Sequence, residues 1–126
     1  MRRAAIVGTA VVAVAATGCG GSSDEDAARD AVKEYAEAIA DRDGRRACES
    51  LARAARAQFE RSKVGCEAAY RAFGRALDRR QREMLEEIDP DMNVDGNEAS
   101  TRVDEPPLEG ELRLRKEGGD WKVVTR

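Results

Sequence analysis

The chain has 126 residues and a mass of 13.7 kDa, which is room for one domain. Hydrophobic residues make up 41%, charged residues 37% and aromatic residues 4%, and the formal charge is −3. This composition argues against a membrane-embedded protein, a disordered chain and a strongly basic nucleic-acid-binding domain. The sequence contains no histidine, which removes the commonest general base and metal ligand and argues against zinc hydrolysis and Ser-His catalysis.

Residues 1–18 have the organisation of an export signal. Arg2 and Arg3 form a basic start, and the 14 residues that follow carry no charge. As a helix they span only about 20 Å, short of the roughly 30 Å hydrocarbon core of a bilayer, so we interpret them as a signal peptide. The small residues that lead into Cys19 resemble the lipobox of bacterial lipoproteins. This resemblance implies a lipidated Cys19 and an anchor on the extracytoplasmic face of the cell membrane; the alternative is an ordinary secretory signal.

The remaining chain divides into a short linker and a domain. Residues 19–26 are rich in glycine, serine and acidic residues, which predicts a flexible linker, and residues 27–126 form the domain. Cys48 and Cys66 lie in this domain on the oxidising side of the membrane, so we expect a structural disulfide between them. Two free buried thiols or a cysteine-based metal site are the alternatives, and the second is disfavoured because the chain has no histidine.

Helical periodicity dominates up to Pro90. Residues 24–40 are predicted to form an amphipathic helix whose apolar stripe consists of Ala28, Ala31, Val32, Tyr35, Ala36 and Ile39. We expect Gly44 to end it in a left-handed conformation. A second helix is predicted over residues 45–60, with Ala47, Cys48, Leu51, Ala55 and Phe59 directed inward. A third starts near Cys66, with Ala69, Tyr70, Phe73 and Leu77 directed inward, and whether it continues past Arg80 is left open.

After Pro90 the hydrophobic period changes from 3.6 to 2, which indicates strands. Asp95-Gly96 is a hairpin signal, Pro106-Pro107 interrupts the alternation, and Gly118-Gly119 is a second turn signal. Three or four antiparallel strands with one apolar face follow from this pattern. The predicted fold class is therefore α+β, with N-terminal helices packed on a curved antiparallel sheet.

The order of these segments resembles small secreted actinobacterial lipoproteins of the NTF2-like superfamily, also described as SnoaL-like or cystatin-like cones. The resemblance covers roughly residues 27–126. It is carried by residues 31–44, Ala47-Cys48-Glu49-Ser50-Leu51, Gly65-Cys66-Glu67 and residues 114–123. It implies a conical α+β fold with a cavity between the first helix and the sheet, in lipoproteins whose function is generally unassigned.

Four aromatic residues are the candidates for lining such a cavity: Tyr35, Tyr70, Phe73 and Trp121. By the resemblance, Tyr35 falls where the oxyanion-hole tyrosine of ketosteroid isomerase lies on the first helix. Neither catalytic aspartate of that enzyme has a counterpart here, so we predict ordinary core packing for Tyr35 and no catalytic residues. For Trp121 we expect a main role as the apolar anchor of the sheet.

Two charged patterns have some features of a ligand site, but each lacks a residue or a charge balance that such a site needs. The alternation of Asp89, Asp91, Asn93 and Asp95 is similar to the start of a calcium-binding EF-hand loop. Ser100 stands at the twelfth position, where that loop needs a glutamate, so we predict no metal site and no cofactor. The run of residues 79–82 is basic, but glutamates follow within two turns, which is typical of a solvated face of mixed charge.

The first functional hypothesis is a non-enzymatic, membrane-tethered module that binds a small molecule or a protein outside the cytoplasmic membrane. A pocket enzyme of the ketosteroid-isomerase type is the second hypothesis. The third is a protein-interaction domain that forms a homodimer through its outer sheet face or an edge strand. Nucleic acid is not an expected partner, because the mature chain is acidic.

Overall fold

Five helices precede four strands in the computed structural model, which describes the backbone of residues 20–124 and the side chains of residues 23–124. The elements are α1 (Gly20–Ala40), α2 (Gly44–Glu49), α3 (Arg53–Glu60), α4 (Cys66–Arg75), α5 (Arg79–Glu86), β1 (Asn93–Asp95), β2 (Glu98–Val103), β3 (Gly110–Glu117) and β4 (Asp120–Val124). The predicted α+β class is confirmed. The predicted signal peptide and Cys19 lie outside the described residues. Between residues 20 and 124, no helix is both long enough and apolar enough to cross a bilayer.

Helix α1 is the central element, because it contacts α2, α4, α5, β1 and β4. The predicted stripe is confirmed: Ala28, Val32, Tyr35, Ala36 and Ile39 are all buried, and Ala31 is half-buried. Ala28, Val32 and Tyr35 follow one another at intervals of one helical turn, so they lie on the face of α1 that meets the sheet and the other helices.

The N-terminal turns of α1 occupy the segment for which the sequence predicts a flexible linker. Residues 20–26 are helical, and salt bridges hold this end of α1 in place. Lys116 Nζ on β3 donates to Asp24 Oδ1 at 2.9 Å, and Arg29 Nη1 donates to Asp26 Oδ1 at 2.9 Å. The Lys116 contact joins residues 92 positions apart, so sequence periodicity contains no signal for it.

Gly44 does not end α1 in the left-handed conformation that the sequence predicts. Arg42 adopts that conformation, with φ of 59°, and Gly44 is the first residue of α2. The side chain of Asp43 caps this helix by accepting from Arg46 N at 3.1 Å. A Cβ atom on Gly44 would overlap the backbone oxygen of Glu67 on α4, so this position needs glycine for close approach.

The prediction of a single helix over residues 45–60 is wrong, because residues 50–52 are not helical and separate two helices. There Leu51 forms a parallel bridge with Val123 on β4. Val123 N donates to Ser50 O at 2.8 Å, and Ala52 N donates to Val123 O at 2.7 Å. The backbone hydrogen bonds of the break are therefore made with the edge of the sheet, and α2 and α3 are separate helices.

Helix α4 ends before Arg80, and α5 is a new helix with its own N-terminal cap. Asp78 accepts from Gln81 N at 2.8 Å, and the Gln81 side chain accepts from Asp78 N at 3.0 Å. This capping box starts α5 independently of α4. On α4, Tyr70 is buried as predicted, but Phe73 is 39% exposed and does not belong to the core.

The four strands form one antiparallel sheet in the order β1-β2-β3-β4. Two tight turns contain the predicted glycines: Gly96 has φ of 63°, and Gly118 and Gly119 have φ of 59° and 87°. Pro106 and Pro107 lie in the loop between β2 and β3. The face packed against the helices carries Val94, Ala99, Thr101, Val103, Leu112, Leu114, Trp121 and Val123.

The expected disulfide between Cys48 and Cys66 is confirmed. It joins α2 to the first residue of α4, with the two Cα atoms 6.0 Å apart. Both cysteines are buried. The bond therefore fastens α4 to the rest of the helical layer at the end nearest Tyr70, which lies one turn further along the same face.

Candidate functional site

An apolar cleft opens at the end of the sheet where β4 ends and β3 begins. Its volume is about 540 Å³, which is within the range of small-molecule sites. Helices α1, α3 and α4 form one wall, and β3, β4 and the loop between β2 and β3 form the other. The lining residues that the structure describes are all uncharged: Tyr35, Phe59, Ala69, Tyr70, Phe73, Pro107, Leu108, Leu112, Val123 and Val124. We call this site the apolar cleft.

Two tyrosines supply the polar groups of the apolar cleft. The hydroxyl oxygens of Tyr35 and Tyr70 are 2.8 Å apart and share a hydrogen bond in which either can donate. Their rings meet edge to face at 5.8 Å between centroids, and the Phe59 ring lies 5.3 Å from the Tyr70 ring. This aromatic cluster joins α1, α3 and α4, so side chains from three helices pack around the phenol pair that lines the cleft.

The environment of this pair is weakly solvated. Tyr35 is 6% exposed and Tyr70 is 7% exposed. Burial raises the pKa of the Tyr70 phenol above its ordinary value of 10.0, and the hydrogen bond with Tyr35 acts in the opposite direction. At neutral pH the Tyr70 phenol is therefore protonated and offers hydrogen-bonding capacity in apolar surroundings.

The structure brings three of the four candidate lining residues together. Tyr35, Tyr70 and Phe73 all line the apolar cleft, and Phe73 stands at its exposed edge. Trp121 lies elsewhere, 6% exposed on the helix-packed face of the sheet and beside a separate hollow of about 230 Å³. Lys116 Nζ sits 5.6 Å from the centroid of its ring. The indole Nε1 of Trp121 has no hydrogen-bond partner among the described residues.

Sequence reasoning did not assign Phe59, Pro107 or Leu108 to a pocket. Phe59 was predicted to point inward, and the structure places it on the cleft wall, half-buried. Pro107 and Leu108 lie in a loop without periodicity, so no pattern marked them, although an apolar leucine directly after two prolines is a weak signal of a buried loop position. Leu108 is 7% exposed.

A second, larger depression has a different character. It lies between the end of α5, the segment before β1 and strand β2, with a volume of about 760 Å³. Its charged lining residues are Arg80, Glu83, Glu87, Asp89, Asp91, Arg102, Asp104 and Glu105. Asp89 already faces Arg29 and Lys33, and Arg102 faces Asp104 at 3.7 Å. Within residues 23–124, no three potential metal ligands converge in one group.

Among the described lining residues of the apolar cleft, the phenols are the only titratable groups. The arrangement can hold an apolar molecule by burial and can hydrogen-bond one polar group through the phenol pair. Comparisons with protein-family models, curated proteins and solved structures returned no match for this chain. The resemblance to the NTF2-like superfamily therefore stays a prediction from the sequence motifs.

Proposed function

We propose that this protein is a lipid-anchored extracytoplasmic binding module that holds a small apolar molecule in the apolar cleft. The observation that carries the proposal is the composition of the cleft wall. Within residues 23–124, ten uncharged residues line a cleft of about 540 Å³, in a chain of which 37% of residues are charged. An apolar hollow of this size in so charged a protein marks a site whose occupant is apolar.

The hydroxyls of Tyr35 and Tyr70 favour a ligand that carries one polar group. Because the Tyr35 and Tyr70 hydroxyls lie among apolar groups, a ligand with one hydrogen-bonding group near them gains more than a pure hydrocarbon does. The ligand class that fits is a compact apolar molecule, with one or two rings and a single hydroxyl or carbonyl group.

The proposal also includes export, a lipid anchor at Cys19 and an NTF2-like cone as the fold. The disulfide between Cys48 and Cys66 supports export, because such bonds persist in oxidising compartments. The uncharged run after Arg2 and Arg3 and the small residues before Cys19 support the anchor. Helices followed by an antiparallel sheet, with α1 packed against both, support an NTF2-like cone whose open end is the apolar cleft.

Titration with N-phenyl-1-naphthylamine, a neutral apolar dye whose fluorescence rises in apolar surroundings, tests the binding site. Ala69 lines the apolar cleft and is half-buried, so Ala69→Phe places a ring inside it. If this ring displaces about 55 Å² of apolar contact, the loss is about 1.4 kcal/mol, or tenfold in affinity.

Ala72→Phe is the matched control. It adds the same ring to an exposed position on the same helix, outside the lining residues of the apolar cleft. We expect saturable binding to the unmodified protein and to Ala72→Phe, and binding at least about tenfold weaker to Ala69→Phe. Equal affinity for all three proteins, or no saturable binding to any, overturns the proposed function.

The anchor has a separate test. When the full chain is expressed in a bacterium that processes lipoproteins, we expect it in the membrane fraction, with the mass of a diacylated cysteine at the new N-terminus. The Cys19→Ser variant should lack the diacyl mass and keep residues 1–18 uncleaved. An unmodified protein without the diacyl mass contradicts lipid anchoring but leaves the binding site intact.

A further inference from the structure

The depression beside α5, of about 760 Å³, is bordered by carboxylates on each of its three sides. Helix α5 with the residue after it, the segment before β1, and the residues after β2 contribute two each: Glu83, Glu87, Asp89, Asp91, Asp104 and Glu105. Among the described lining residues the cations are Arg80 and Arg102, so negative charge is in excess. This surface, which we call the acidic depression, attracts cations, because a concave surface lined mainly by one sign of charge focuses its field.

The less exposed part of the lining is apolar and forms the floor of the acidic depression. Val103 on β2 is 7% exposed, and Met84 and Ile88 are partly buried and pack against the core of the domain. Pro90 is also buried, and its carbonyl oxygen accepts from Arg29 Nε at 3.0 Å, which holds the segment before β1 against α1. A ligand that carries only charge leaves this floor uncovered, whereas a ligand with methylene groups between its charges covers it.

Thr101 is a buried polar residue in the same lining. It lies on the helix-packed face of β2 and is only 3% exposed. Among residues 23–124 its hydroxyl forms no hydrogen bond, although buried hydroxyls in folded proteins normally have a partner. Because Thr101 lines the acidic depression, an N–H or O–H group of a ligand there can supply the missing partner. The unpaired, buried hydroxyl therefore points to a ligand independently of the charges around it.

We propose that the acidic depression binds a linear aliphatic polyamine. Such a molecule carries several ammonium groups, which the carboxylates on the three sides attract, joined by short methylene chains, which cover the apolar floor. An N–H group of the polyamine donates to the Thr101 hydroxyl. A single metal ion fits less well, because within residues 23–124 no three potential metal ligands converge. Carboxylates spread over three sides suit several cations on one flexible chain.

The acidic depression is separate from the apolar cleft. The two sites share no lining residue among those that the structure describes, and the described lining of the apolar cleft is uncharged. Polyamine binding therefore goes beyond the proposed function and does not rest on it. A failure to bind polyamine leaves dye binding in the apolar cleft unaffected, and the reverse also holds.

Isothermal titration calorimetry at low ionic strength, with two probes of equal charge, tests the ligand class. Spermidine is a linear triamine, and hexaamminecobalt(III) carries the same charge and N–H groups without any methylene chain. We expect saturable binding of spermidine to the unmodified protein, with an affinity at least about tenfold higher than that of hexaamminecobalt(III). No saturable binding of spermidine, or equal or tighter binding of hexaamminecobalt(III), overturns the proposal.

Two variants test the groups that hold the ligand. Thr101→Val removes the hydroxyl from a side chain of the same shape and should weaken spermidine binding about fivefold. Glu87→Gln with Asp91→Asn neutralises two exposed carboxylates that form no salt bridge with the described side chains. We expect this double variant to bind spermidine about tenfold more weakly. The fluorescence of the buried Trp121 checks that each variant keeps its fold.

Glu86→Gln with Asp30→Asn is the matched control, because it makes the same two kinds of substitution at exposed positions that do not line the acidic depression. We expect the control to bind spermidine like the unmodified protein. A control that loses as much affinity as the double variant in the depression shows attraction by net charge alone and overturns the proposal. Unchanged spermidine affinity in a folded Thr101→Val variant overturns it as well.

Discussion

Removal of the disulfide should lower the stability of this domain by an amount that follows from its position. The bond joins residues 18 positions apart, and in the chain-entropy model closing such a loop stabilises the folded state by about 3 kcal/mol. Small domains unfold with a total free energy of about 5–15 kcal/mol. The Cys48→Ala and Cys66→Ala double variant should therefore fold, but with a large part of its stability lost.

Urea unfolding followed by tryptophan fluorescence measures this change. Trp121 is the single tryptophan of the chain, and it is 6% exposed, so its emission reports unfolding of the sheet from the helices. We expect a lower midpoint together with a steeper dependence on urea, because the unfolded chain without the link is more expanded and exposes more surface. The unmodified protein under a reducing agent should behave like the double variant.

A loss below about 1 kcal/mol would refute this reasoning. It would mean that residual structure in the unfolded chain already keeps the two cysteine segments close together. In that case the disulfide removes little further entropy from the unfolded state.

Three further changes have expected outcomes. Gly74→Ala should lower the thermal midpoint, because a Cβ there lies 2.6 Å from Ile39 O, and the overpacking cost of about 1–3 kcal/mol exceeds the helix-propensity gain of about 1 kcal/mol. Asp78→Ala removes the cap of α5 and should cost about 1 kcal/mol in urea unfolding; an unchanged midpoint contradicts the capping role. Tyr70 has a folded-state pKa above its ordinary value of 10.0, so its contribution to stability is complete below that pH and is lost as the pH rises through the folded-state pKa. Urea midpoints measured against pH should therefore fall less steeply in alkali for Tyr70→Phe, and parallel profiles contradict this assignment.

The elements with a clean local period were predictable from the sequence. The stripe of Ala28, Val32 and Tyr35 has helical spacing, and the predicted α1 face is the buried one. The turns at Gly96 and at Gly118-Gly119 were predictable because positive φ is available to glycine at little steric cost. The pairing of Cys48 with Cys66 followed from the count of cysteines and from the prediction that the domain is exported.

The errors arose where a distant segment decides the local structure. The second helix breaks at Leu51 because the edge of β4 offers hydrogen bonds there, and Val123 is 72 positions away. Trp121 and Val123 are two positions apart on β4 and lie on the same face of the sheet, but of these two only Val123 lines the apolar cleft. Alternation of apolar and polar residues indicates which face of a strand is buried. The packing of the helices on that face determines which end of it is left uncovered as a cleft.

The sequence by itself determined that a helical part precedes a part made of strands, which face of α1 is buried, where the glycine turns lie and which cysteines pair. These depend on backbone geometry and spacing within a few residues, which every stretch of chain expresses locally. The tertiary structure alone decided where the apolar cleft opens and that the hydroxyls of Tyr35 and Tyr70 meet there. These depend on contacts between segments far apart in the chain, whose free energies are set by packing rather than by local periodicity.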